Sequence, residues 1–100
     1  MLRSHSKHNS EIDYFSSYLK EAQSGKSAYI DLVKPIILEA ASLARGETQI
    51  ADLDRQGYNI KLLLNKWGHT AIAAITQQNI LEQLPMVQCI IDGYRAEMAE

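Results

Sequence analysis

One hundred residues leave room for one domain. Apolar residues make up 46% and charged residues 22%, an ordinary globular balance. A net charge of −2 argues against a whole-domain nucleic-acid binder, and the single cysteine, Cys89, excludes an internal disulfide.

Residues 1–9 are polar, hold His5 and His8, and are expected to form a flexible tail before one helical domain over 10–100. They lack the apolar centre of a signal peptide, and no stretch of the chain approaches the roughly 18 apolar residues of a membrane span. With the lone cysteine, these absences give the expectation of a cytoplasmic protein.

Ser10-Glu11-Ile12-Asp13 resembles a capping box, so the first helix is expected to start there. Ile12, Phe15, Leu19 and Ala22 follow at helical spacing, and Ser24-Gly25-Lys26 should end it. A second helix is predicted over about 27–45, with Ile30, Val33, Ile37, Ala40 and Ala44 on one side. Pro35 lies inside it and predicts a kink or break near Lys34. Gly46 stands where a left-handed C-terminal cap belongs, after Arg45, whose charge suits a helix C-terminus.

Thr48 is the expected cap of a third segment. Ile50, Leu53, Gly57, Ile60, Leu64 and Trp67 alternate three and four residues apart, a heptad seam that Gly68 closes. Gly57 either permits close helix approach or marks a turn. Thr70 is the expected cap of the last and longest segment, in which Ala73, Gln77, Ile80, Leu84, Val87, Ile91, Tyr94 and Met98 form a second seam. Pro85 should bend this helix. No strand-like alternation competes. The fold class is therefore all-α, an antiparallel helical bundle or long helical hairpin of about four segments.

Chemical motifs find no foothold. His5, His8 and His69 do not form an organised ligand set, so neither metal nor cofactor is expected. Cys89 sits within Met86-Val87-Gln88-Cys89-Ile90-Ile91 and is expected to be buried and structural. Asp52 and Asp54 are two apart and point to different helix sides. No phosphate loop, nucleophile elbow or HExxH sequence occurs, so no enzymatic activity is expected. Tyr14, Tyr18, Tyr29, Tyr58 and Tyr94 suit half-buried surface packing, or an interface. Charge is uneven: no Asp or Glu occurs from Arg55 through Leu81, whereas Glu82, Asp92, Glu97 and Glu100 follow against Arg95 alone.

These features favour a non-enzymatic protein-binding module, a chaperone or adaptor. The last segment carries more apolar surface than one helix contact needs, so Ile80, Leu84, Val87, Ile91, Tyr94 and Met98 are the expected partner-binding residues. The plain alternative is that this strip is core. Leu43-Ala44-Arg45-Gly46-Glu47, then Leu53 and Leu62-Leu63-Leu64, with Gln78-Asn79 before a long amphipathic helix, resembles the helical hairpin of bacterial flagellar export chaperones of the FlgN type. That resemblance implies a cradle for a secreted substrate over Ile80–Met98.

A second hypothesis is a helix-turn-helix DNA-binding regulator over 48–67. Thr48–Asp54 would be its first helix, Gly57 its turn and Asn59–Trp67 the recognition helix, offering Asn59, Lys61, Asn65 and Lys66 to bases or phosphates. Leu43–Gly68 loosely resembles that motif in response-regulator-type transcription factors. A third is a structural homo-oligomer zipped along the two seams.

Overall fold

A computed structural model describes the backbone of residues 7–48 and 57–98 and the side chains of 13–48 and 60–97. The described residues form five helices and no strand: α1 (Lys7–Gln23), α2 (Ser27–Ala44), α3 (Gly57–Leu63), α4 (His69–Ala73) and α5 (Ile80–Met98). None is long and apolar enough to cross a membrane. Residues 1–6 of the expected tail, and 49–56 with Ile50, Leu53 and most of the expected first DNA-binding helix, lie outside the described residues.

α1 starts three residues before the expected cap. Lys7, His8 and Asn9 are helical, so Ser10 lies inside the helix; nothing in those three residues forbids a helical backbone. Its end is as expected. Gly25 adopts a φ of +96°, its N–H donates to the Ala22 carbonyl at 3.0 Å, and the Lys26 N–H reaches Glu21 O at 3.3 Å. Gly46 repeats this Schellman geometry after α2: φ is +79°, with Gly46 N–H to Leu43 O at 3.1 Å and Glu47 N–H to Ser42 O at 2.9 Å.

Of the kink or break expected at Pro35, the break is absent, and α2 runs on through it. Pro35 and Asp31, whose carbonyl loses its N–H partner, are both exposed. Water can serve that carbonyl, and the proline ring needs no room in the core. Pro85 is likewise exposed inside an unbroken α5.

Two asparagines, Asn65 and Asn79, interrupt the later helical run. Asn65 Nδ2 donates to Leu62 O at 2.6 Å, while its Oδ1 accepts from the Trp67 and Gly68 N–H groups at 2.7 and 3.1 Å. This side chain replaces helical bonding, so α3 ends at Leu63 and the seam does not continue to Trp67. Asn79 Oδ1 accepts from Thr76 N–H at 2.8 Å, and Thr76 Oγ1 accepts from Asn79 N–H at 3.3 Å. That reciprocal pair is a capping box with Asn79 in the place of glutamate. The expected single helix from Thr70 is thus two, with the interruption at 74–79.

The core draws on all five helices. Phe15 and Leu19 of α1, Val33 and Ile37 of α2, Leu63 of α3, Ile72 of α4 and Val87 and Ile91 of α5 are buried. α1 and α2 form a hairpin across a three-residue turn. α5 lies antiparallel along α1, stitched by polar groups. Gln23 Nε2 donates to Gln88 Oε1 (2.9 Å), Gln88 Nε2 to Ser16 Oγ (3.1 Å), and Arg95 to Asp13 (2.8 Å). Ser16 is the one buried polar side chain described, and these partners satisfy it.

Arg45 closes the other side of the bundle. Its Nη1 donates to the carbonyls of Ala73 and Ile75 at 2.9 and 2.7 Å, and Glu47 takes Nε and Nη2 at 2.9 and 3.2 Å. It therefore serves the C-terminus of α4 as well as ending its own helix. Arg45→Met keeps the aliphatic stem and removes these bonds. Unfolding in urea should show a loss of about 1–2 kcal/mol, the worth of part-exposed charge-assisted hydrogen bonds; an unchanged midpoint would show the clamp to be idle.

Candidate docking face

The strip expected to bind a partner is built into the fold. Ile80, Leu84, Val87 and Ile91 are buried, and Tyr94 packs half-buried against the core. The side chain of Met98 lies outside those described. The amphipathic stripe of α5 faces α1 and α3 of its own chain, so the spare surface inferred there is not free. Cys89 is also placed otherwise than expected. It is exposed, because Val87, Ile90 and Ile91 turn inward and residue 89 falls on the opposite side of the helix.

Exposed apolar surface gathers elsewhere, on the α1–α2 hairpin. Phe15, Leu19 and Ala22 fix the inward side of α1, which leaves Tyr14 and Tyr18, four apart, on its α2-facing flank. Val33, Ile37, Ala40 and Ala41 fix the inward side of α2, which puts Tyr29, Leu32 and Ile36 on the flank toward α1. The rings meet accordingly. Tyr14 and Tyr18 stack with centroids 6.4 Å apart and an 18° interplanar angle, and Tyr18 lies 5.7 Å from Tyr29. Tyr14 remains 62% exposed and Leu32 51%. At the turn, Lys26 pairs with Glu21; that hydrogen bond and charge hold the Lys26 ammonium above its ordinary value.

No protein-family model matches the chain, and no curated protein or solved structure is significantly similar to it.

Other surfaces offer less. An open groove of about 340 Å³ lies between the C-terminal half of α2 and the α4–α5 turn, lined by Leu38, Ser42, Arg45, Thr76, Gln77 and Gln78. Its guanidinium is already taken up by Glu47 and two carbonyls. The same contact holds the Glu47 carboxyl below its ordinary value. Trp67 is exposed beside the α3–α4 turn, with the Lys66 ammonium 5.2 Å from its ring centroid and 3.8 Å from Glu97. The basic stretch and the acidic C-terminal helix therefore meet within one chain. Because α3 ends at Leu63, Asn65, Lys66 and Trp67 lie in a turn and not on a recognition helix. Among the described residues no three His, Cys, Asp or Glu side chains converge as metal ligands would. His69, exposed at the start of α4, stands apart from any such group.

Sequence periodicity finds core stripes, and the tyrosine face lies beside one. The signal that could have located it is the flank position of Tyr14 and Tyr18, with Tyr29 just beyond a tight turn.

Proposed function

We propose that the chain is a non-catalytic protein-binding module whose partner docks on the α1–α2 face. One observation carries this: a row of three tyrosines, Tyr18 in ring contact with both Tyr14 and Tyr29, beside exposed Leu32, on a helical hairpin whose inward sides are already filled. Tyrosine combines a large apolar ring with a hydroxyl that stays wet, and it is enriched in interface hot spots. An adaptor or chaperone role fits such a face. A cradle along Ile80–Met98, which the likeness to flagellar export chaperones implies, would need core residues to be available, so the proposal takes the general activity and not that site.

The test pairs partner capture with a face variant. Tyr14→Ser with Tyr18→Ser should leave the helical spectrum unchanged and weaken binding of the captured, identified partner about thirtyfold, the roughly 2 kcal/mol of a hot spot. Undiminished affinity in the double variant would remove the face from the proposal.

A further inference from the structure

No further inference is drawn: the strongest candidate, the occupant of the exposed tyrosine row beside Leu32 on the α1–α2 hairpin, carries nothing beyond the docking face already described, because nothing in the structure shows what covers that face.

Discussion

Ile91→Asp should unfold the protein and not merely disarm it. Ile91 has no measurable exposure and belongs to the core to which every helix contributes. An aspartate there must bury a charge, or a neutral acid with no built partner, and it also forfeits the packing of a full isoleucine. Removing the side chain alone costs about 2–5 kcal/mol in a core, and an unpartnered polar group adds several more. A domain of this size has a total stability of about 5–15 kcal/mol. Loss of the helical signal in circular dichroism at 25 °C is the expected result, with Leu84→Asp behaving alike. Leu81→Asp lies on the same helix at 53% exposure and should shift the unfolding free energy by less than about 0.5 kcal/mol. The contrast separates core from surface on α5. An Ile91→Asp protein that melts like wild type and loses only its partner would restore this strip as the binding site and remove the hairpin face from that role.

The all-α class was legible because period and punctuation agree. Phe15, Leu19 and Ala22, then Val33, Ile37 and Ala40, keep helical spacing and are buried as that spacing requires. Gly25 and Gly46 sit at positive φ, where a side chain is costly, so they mark two helix ends by backbone conformation alone. The middle of the chain was harder because heptad arithmetic counts apolar positions and ignores what polar side chains do to the backbone. Asn65 and Asn79 each take several main-chain groups into their own hydrogen bonds and stop the regular ladder. The Thr76–Asn79 box was hidden because asparagine replaces the usual Glu or Gln. Pro35 costs helix stability wherever it sits, but with its ring and its freed carbonyl open to water it leaves α2 unbroken.

Function was less legible than fold for a related reason. An amphipathic stripe shows which residues avoid water and is silent on whether they avoid it inside one chain or between two. Ile80, Leu84, Val87 and Ile91 satisfy either description, and only the placement of α1 and α3 chooses the first. Cys89 shows the converse: apolar neighbours in sequence are not neighbours in space on a helix.

Gly68→Ala tests how tightly the α3–α4 turn is pinned to α5, and it should lower stability despite adding only a methyl group. The backbone at Gly68 has φ −109° and ψ −12°, which alanine adopts without strain, so conformation is not the obstacle. Space is. A Cβ there would lie 2.6 Å from the Leu63 carbonyl oxygen and 2.8 Å from Ile90 Cγ2. The isoleucine methyl can shift, but it is buried in the core, and the carbonyl oxygen belongs to the last residue of α3. Overpacking of this kind costs about 1–3 kcal/mol, with the upper half expected because backbone must move. The stiffer unfolded chain returns about 0.4–1 kcal/mol. A net loss near 2 kcal/mol corresponds to a fall of roughly 8–16 °C in Tm for about 100 residues. Gly93→Ala is the matched control. Nothing lies within 4 Å of its added Cβ, and it stands inside α5. There alanine should raise stability by about 0.5–1 kcal/mol through helix propensity. Opposite signs for the two substitutions follow from the crowded Cβ position at Gly68 and the open, helix-interior position at Gly93. If Gly68→Ala melts at or above the wild-type temperature, the turn does not approach α5 as closely as these distances require, and the path by which α3 and α4 close over the core has to be redrawn.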